Sequence, residues 1–381
     1  MTMRRTYILS AILLAIMLAH GSTIFMIDGF AQEPYPPPAT AEPYAPQYLF
    51  VHLPLVIRMF PPPAAPSYYL QDLNSLYALG YARGQHDLNT PGKQDNLVIL
   101  DYGYPSIKNG VYGVKLTYEA IGSFHPVSEV ITSAVEFAHG YYVGTGNDTA
   151  SHLTIVIGVN GCCNENTLAF FRAHGTAWGE SVNSIVSQIS VYNQYYDQLD
   201  AVSGMDIEMA WNHPYRIAQW LDYYKTASTC DPVGNNSVEG CFYNFGNMTV
   251  SASGTTCATN DPQTVWYGCD VWYVSWGAQK NGKRYARPLP EIYHGAETLP
   301  PWGTDATAWK DLSLFSANQM NAGKMYFVGT LTQRARCGDG CGYGNNYPWE
   351  GYRLLYDALA SNSATIMRLQ WSTDNQNQLP G

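Results

Sequence analysis

The sequence is poor in charged residues: Asp, Glu, Lys and Arg make up 13% of its 381 positions, against roughly 25% in an average globular protein. The net charge is −10 and no basic run is longer than two residues. This composition argues against a nucleic-acid-binding protein, which needs a basic surface. Aromatic residues are abundant at 14%, which supplies apolar surface for a core and argues against disorder.

Several catalytic motifs are also missing. The sequence has no GxSxG elbow, no HExxH pair, no P-loop and no CxxC pair. It therefore gives no support to a serine hydrolase of that type, a zinc protease, a nucleotide-binding protein or a zinc site. We expect neither a cofactor nor a bound metal.

Residues 1–31 are typical of a secretory signal peptide. Two arginines at positions 4 and 5 precede an apolar run over residues 7–19, and the small residues Gly29 and Ala31 offer a cleavage site before Gln32. An uncleaved membrane anchor is the alternative, but no later run approaches the roughly 20 apolar residues of a spanning helix. We expect a secreted or extracytoplasmic protein, cell-surface location included, that does not contact the membrane after cleavage.

Pro, Ala and Tyr dominate residues 32–66, which predicts a semi-rigid extended linker. Residues 67–381 have the composition of one compact domain. The sequence does not indicate an oligomeric state.

The eight cysteines fit an oxidising compartment. Proximity along the chain predicts three local disulfides that staple loops: Cys230–Cys241, Cys257–Cys269 and Cys337–Cys341. The adjacent Cys162 and Cys163 fit either a vicinal disulfide or two buried thiols.

Short apolar runs alternate with segments of helical spacing. The eight candidate strands are residues 96–100, 153–159, 201–209, 241–246, 271–277, 290–294, 324–331 and 364–371. Helical spacing follows Val127, Trp178, Pro214 and Pro348. Alternation of this kind predicts an α/β protein with a parallel sheet, and eight strands favour a (β/α)8 TIM-like barrel, irregular between the fourth and sixth strands. An open doubly wound sheet is the alternative.

Asp206 and Glu208 are the sharpest candidates for catalysis. They end the third predicted strand, and residues two apart on a strand point to the same face. In a barrel this end of the strands holds the active site. Two neighbouring carboxyl groups have different pKa values, because one loses its proton less easily beside the other. One can then serve as a general acid and the other as a carboxylate, as glycoside hydrolysis requires. Asp101, at the end of the first predicted strand, is a third candidate. The alternative is that the pair only caps a helix or forms rim salt bridges.

Other polar and aromatic residues follow the predicted strands, where aromatic faces suit stacking on sugar rings. These candidate substrate-binding residues are Tyr102, Tyr104, Trp211, Tyr243, Asn244, Trp276, Tyr293, Gln333 and Trp371.

The Asp206-x-Glu208 pair, Asp101 and the PEIYH segment over residues 290–294 resemble lysozyme-type family-25 glycoside hydrolases and related glycoside-hydrolase-like barrels, across roughly residues 95–372. The resemblance implies that Glu208 is the general acid, that Asp206 assists the substrate's N-acetyl group or holds water, and that Asp101 is the first-strand acid. The longer DxxDxDxE signature of family-18 chitinases is not kept, because Ala201 and Gly204 occupy its first two acidic positions.

The sequence thus favours a hydrolase acting on a polysaccharide or a peptidoglycan-like glycan. A catalytically silent barrel that binds glycans or forms a surface structure is the main alternative. A hydrolase that binds Mg²⁺ or Ca²⁺ through Asp101, Asp206 and Glu208 is a further one.

Overall fold

The structure is a computed structural model. It describes residues 61–117, 123–146, 148, 150–161, 167–193, 197–235, 237, 239–247, 253–261, 263–294, 305–338 and 346–378. The expected signal peptide and nearly all of the expected linker lie outside these residues, as do Cys162, Cys163 and Cys341.

The described residues form strands and helices in alternation. The strands are β1 (Ala65–Tyr69), β2 (Asp95–Asp101), β3 (Tyr104–Lys108), β4 (Val111–Lys115), β5 (Phe124–Pro126), β6 (His152–Asn160), β7 (Leu199–Asp206), β8 (Phe242–Asn244), β9 (Gln279–Lys280), β10 (Lys283–Arg284), β11 (Ala286–Pro288), β12 (Gly329–Thr332) and β13 (Trp371–Asn377). The α-helices are α1 (Leu76–Asn89), α2 (Val127–Gly144), α3 (Leu168–Ile189), α4 (Pro214–Ala227), α5 (Gly268–Trp272), α6 (Asp305–Asn318), α7 (Arg334–Cys337) and α8 (Pro348–Ala360).

Eight of the strands form one sheet, in the order β11-β8-β7-β6-β2-β1-β13-β12. Every neighbouring pair in this sheet is parallel. The two edges meet where the segment after β11 bridges β12: Glu291 pairs with Leu331, and Ile292 N donates to Leu331 O at 2.9 Å. The sheet is therefore nearly closed into a barrel.

Side chains that alternate along the strands divide the core in two. Leu97, Ile99, Val156 and Leu331 belong to a small buried cluster inside the curved sheet. A larger cluster, which includes Val98 and the helix residues Trp178 and Trp220, fills the layer between sheet and helices. Because inward positions recur every second residue, the alternation that starts at Leu97 and Ile99 also points Asp101 inward.

Two short antiparallel sheets flank the main one, β3-β4-β5 and β9-β10. The β3–β4 and β9–β10 hairpins both turn on an Asn-Gly pair, Asn109-Gly110 and Asn281-Gly282, whose four residues all have positive φ. Such turns match the twist of the paired strands.

Two of the predicted disulfides are present, Cys230–Cys241 and Cys257–Cys269. The third involves Cys341, outside the described residues. Among the helices that the structure describes, none is long and apolar enough to cross a membrane.

Most of the predicted elements are confirmed. The helical spacings from Val127, Trp178, Pro214 and Pro348 correspond to α2, α3, α4 and α8. The runs at 96–100, 153–159, 201–209 and 241–246 correspond to β2, β6, β7 and β8.

Three of the predicted strands are misplaced, and one strand of the sheet was not predicted. Residues 271–277 lie in α5 and a π-helical turn, Tyr273–Gly277, because their apolar side chains face core on all sides rather than alternating. The eighth strand begins at Trp371, where the prediction ended it, since its continuation is polar. The first strand of the sheet, β1, went unrecognised because its first two residues belong to the Pro-rich segment assigned to the linker. The predicted sixth strand at 290–294 is shifted: β11 ends at Pro288, and Glu291 forms only an isolated bridge.

Candidate active site

Four acidic residues lie at the carboxyl ends of the barrel strands. Asp101 ends β2, Asp206 ends β7, Glu208 follows two residues later, and Glu291 lies just beyond β11. The carboxyl ends of parallel strands meet at one face of a barrel, which is where such folds hold their ligands. The four side chains therefore line one end of the barrel, here named the mouth.

Three of these side chains form a compact cluster. One carboxyl oxygen each from Asp206, Glu208 and Glu291 lies within 4.8 Å of the other two. Asp206 and Glu291 are 4% exposed, whereas Glu208 is half-buried. Glu208 is thus the member that meets solvent, and the other two lie behind it.

Hydrogen bonds connect the cluster to two tyrosines. The side chains of Glu208 and Glu291 are hydrogen-bonded to each other, which requires a proton between them. Tyr293 Oη donates to Glu291 Oε1 at 2.6 Å, and Tyr69 is hydrogen-bonded to Tyr293. Among the described residues, Asp206 Oδ1 has no hydrogen-bond partner although it is buried.

Burial raises the pKa of every carboxyl group in the mouth. It lifts the pKa of Glu208 to about 7, with the nearby Asp305 acting in the same direction and the hydrogen bond with Glu291 against it. The pKa values of Asp206 and Glu291 lie well above their usual range, first because of burial and then because of neighbouring carboxylates. The cluster therefore retains protons at neutral pH, when exposed carboxyl groups have lost theirs.

Asp101 lies apart from the cluster but in the same mouth. Burial raises its pKa to about 7, while a hydrogen bond from Gly103 N at 2.8 Å and the charge of Arg336 oppose the rise. In the amide orientation that satisfies both neighbours, Asn160 Nδ2 donates to Asp101 Oδ2 at 2.9 Å and its oxygen accepts from Thr117 Oγ1. Asp101 is thus held by donors, unlike Asp206.

The structure brings part of the predicted site together. Tyr293 belongs to the mouth, as do the three predicted carboxylates. Trp211 lies at its rim, 40% exposed, and its backbone N donates to Glu208 O at 3.0 Å. Gln333 directly follows β12 and precedes α7. Tyr104 is half-buried in β3, in the small sheet that follows Asp101.

The other predicted residues lie elsewhere. Tyr102 Oη bonds Ser133 Oγ at 3.1 Å, between sheet and helices. Asn244 Nδ2 donates to Ser275 Oγ at 2.8 Å, also outside the barrel interior. Trp276 is 1% exposed in the outer core, because the segment is helical rather than a strand.

Tyr243 and Trp371 do face the barrel interior, but away from the mouth. Tyr243 is 2% exposed within the inner cluster. Trp371 is the first residue of β13, and its Nε1 donates at 3.2 Å to Asp95, the first residue of β2. Its placement at a strand's carboxyl end was therefore wrong, because the strand starts where it was expected to stop.

The sequence did not predict two of the mouth residues, Glu291 and Tyr69. Glu291 lies two residues before Tyr293, the same spacing that singled out Asp206 and Glu208, so alternation within PEIYH would have found it. Tyr69 offered no such signal, because its strand was assigned in part to the linker.

Comparison with known protein families, with curated proteins and with solved structures found no match.

Proposed function

We propose that this chain is an exported glycoside hydrolase that acts on a cell-wall or extracellular polysaccharide, built on a (β/α)8 TIM-like barrel. The observation that carries the proposal is the carboxyl cluster of Asp206, Glu208 and Glu291 at the carboxyl ends of the barrel strands. The two disulfides are compatible with an extracytoplasmic location.

Glu208 is the general acid. It is the cluster member that solvent reaches, and its pKa of about 7 keeps much of it protonated at neutral pH. A general acid works best when its pKa lies near the working pH. Its proton moves to the glycosidic oxygen as the bond between that oxygen and the anomeric carbon breaks, and the alcohol leaves.

The oxocarbenium-like charge that develops on the sugar then needs a negative partner. Proton transfer leaves Glu208 ionised as that partner. Asp206, which keeps its own proton, lies beside it with a buried oxygen that no described group bonds and that can accept a hydrogen bond from the substrate. Asp206 thus assists the substrate's own N-acetyl group or a water at the anomeric carbon, and Glu208 takes back the water's proton.

Glu291 and Tyr293 hold the acid in place. Tyr293 donates to one oxygen of Glu291, and Glu291 shares a proton with Glu208. These hydrogen bonds orient the Glu208 carboxyl group, while burial keeps its pKa raised against the opposing effect of the bond with Glu291.

The test is the release of reducing ends from peptidoglycan and from chitin oligomers by the purified chain. Glu208→Gln should lose about 10²–10⁴-fold in kcat, the range of general acid catalysis, while still binding the oligomers. Glu180→Gln, at an exposed position of α3, is the matched control and should keep full activity. Binding of glycan without hydrolysis by the unaltered chain would instead favour the silent glycan-binding barrel.

Divalent-cation binding is a second candidate, favoured by the same 4.8 Å spacing because Mg²⁺ and Ca²⁺ take carboxylate oxygens. It needs the cluster to lose its protons, so cation binding would grow stronger as the pH rises through 7. Calorimetric titration with MgCl₂ or CaCl₂ at pH 6 and 8, together with EDTA in the hydrolysis assay, separates the two. Activity that EDTA abolishes and Ca²⁺ or Mg²⁺ restores would favour the metal-dependent hydrolase.

A further inference from the structure

The rim of the mouth carries two arginines on the short helix α7. Arg336 lies with its guanidinium carbon 4.7 Å from the centre of the Tyr69 ring. Tyr69 is hydrogen-bonded to Tyr293 within the active site. The charge of Arg336 also acts to lower the pKa of Asp101. Arg336 thus places a positive charge at the edge of the mouth, beside the four acidic side chains described above.

The second arginine, Arg334, packs against the first of two stacked aromatic rings on the same rim. Its guanidinium carbon lies 4.3 Å from the centre of the Tyr347 ring, and its Nη2 donates to Tyr347 Oη at 3.1 Å. Tyr347 and Trp349 stack at 15° with ring centres 6.5 Å apart. The two rings are 46% and 50% exposed. The two exposed rings form a small apolar surface beside the guanidinium, of the kind on which the apolar face of a sugar ring can pack.

Hydrogen bonds fix this stack beside the catalytic segment. Asn346 N donates to Tyr293 O at 2.9 Å, and Asn346 Nδ2 donates to Ile292 O at 2.9 Å. Tyr347, the next residue, therefore lies next to the segment that holds Glu291 and Tyr293.

Helix α7 is anchored independently of its arginine side chains. Asp374 in β13 accepts hydrogen bonds from the backbone N of Arg334 at 2.7 Å and of Ala335 at 2.8 Å. Because the backbone is held there, replacing a guanidinium leaves the helix attached to the barrel.

We propose that Arg334, Arg336, Tyr347 and Trp349, here named the rim subsite, bind an acidic sugar unit that carries a carboxylate. This inference rests on the proposed glycosidase function and names the charge of its substrate. The aromatic faces take the apolar side of a sugar ring, and the guanidiniums form charge-assisted hydrogen bonds with its carboxylate. A guanidinium matches the planar, two-oxygen shape of that group.

The experiment measures binding of acidic and neutral saccharides by calorimetry with the Glu208→Gln chain, so that hydrolysis does not intervene. The matched probes are oligogalacturonides with free carboxylates and the same oligomers as methyl esters. Hyaluronan and chitin oligomers form a second acidic and neutral pair. We expect at least one acidic probe to bind about tenfold or more tightly than its neutral partner, and the preference to weaken in high salt.

Variants of the rim subsite distinguish the contribution of the arginine charges to binding from that of aromatic stacking. Adding Arg334→Gln and Arg336→Gln should bring the acidic-to-neutral affinity ratio to about one. Arg353→Gln, an equal charge change on the outer face of α8 where the side chain is 72% exposed, should leave the ratio unchanged. Trp349→Ala should weaken acidic and neutral probes alike.

The outcomes separate the subsite from the function it rests on. Equal binding of acidic and neutral probes, or a preference that survives both arginine substitutions, overturns the rim subsite and leaves the glycosidase proposal standing. Binding of no saccharide in either pair overturns glycan recognition itself, and the rim subsite with it. Circular dichroism of each variant verifies that the comparison is made between folded proteins.

Discussion

Strand β2 begins and ends with an aspartate, and the pKa values of these two residues are shifted in opposite directions. Asp101, at the mouth, has its pKa raised to about 7 by burial. At the other end burial also acts to raise the pKa of Asp95, but hydrogen bonds from His152, Trp371 and Gln370 outweigh it, and the pKa is lowered. The environments at the two ends of the barrel therefore have opposite effects on the pKa of an aspartate.

The difference lies in the partners that each end supplies. At the amino end, His152 lies between Asp95 and Asp200, at 3.4 Å and 3.3 Å. Although burial opposes it, these two acids raise the pKa of His152 to about 9. At the mouth, Asp206, Glu208 and Glu291 face one another instead. The contacts at the amino end stabilise β2, β6 and β7, whereas the acids at the mouth keep their protons and can supply them in a reaction.

We expect the free energy of unfolding to fall with rising pH in two windows, one for each end. Glu208 and Asp101 have folded pKa values of about 7, above their ordinary 4.5 and 3.8. Their contribution is complete below about pH 4 and is lost as the pH rises towards 7. The folded pKa of His152 is about 9, above its ordinary 6.5, so its contribution is complete below pH 6.5 and lost by about pH 9.

His152→Gln should reduce the loss of stability in the upper window, where His294 at the mouth also has a raised pKa, and should leave the lower window unchanged. Because both aspartates are partly exposed, solvent screening reduces the contribution of His152 to about 1–2 kcal/mol. Urea unfolding followed by tryptophan fluorescence between pH 4 and 10 measures both windows. His86→Gln, whose side chain is 61% exposed on α1, is the control. A loss of stability between pH 6.5 and 9 in the His152 variant as large as in the unaltered chain would contradict the assignment.

The same substitution, Asp to Asn, should have opposite effects on stability at the two ends. At pH 8, Asp206→Asn removes a buried acid that repels Glu208 and Asp101, and we expect a gain on the order of 1 kcal/mol. Asp95→Asn weakens the contact with His152 and should cost about 1 kcal/mol after solvent screening. Urea unfolding at pH 8 gives both values, and a loss of stability in both variants would show that burial at the mouth is already compensated.

Asp206→Asn has a second readout. If the mouth is the active site, the stabilised variant should also lose hydrolysis, whereas the destabilised Asp95→Asn chain should keep it. A gain in stability without loss of activity would separate Asp206 from the reaction.

Much of this arrangement was predictable from the sequence. Asp101, Asp206 and Glu208 follow long apolar runs whose length fixes the strand ends, so their meeting at one face follows from parallel strands. The Asp-x-Glu spacing likewise predicted Asp206 and Glu208, two of the three members of the carboxyl cluster.

The remaining errors have physical causes. The segment 271–277 is apolar on every side, and such a run does not distinguish a buried helix from a strand. In β13 the opposite error occurs: its residues Ser372 to Asn375 are polar yet buried, so hydropathy does not predict them as a strand of the core. Partners that come from distant segments, such as Asp95 for His152, leave no local pattern.

Trp371 is the residue whose predicted position changes most, because β13 begins where the prediction ended it. As a mouth residue it would stack on sugar, and Trp371→Phe would alter substrate affinity. At the amino end its Nε1 donates to Asp95 Oδ1 at 3.2 Å, so the variant should lose about 0.5–1.5 kcal/mol of stability, the usual value of one hydrogen bond. KM and kcat on the best oligomer should stay unchanged. The matched Trp349→Phe variant, at the rim, should keep its stability. A change in KM with Trp371→Phe would instead place substrate at both ends of the barrel.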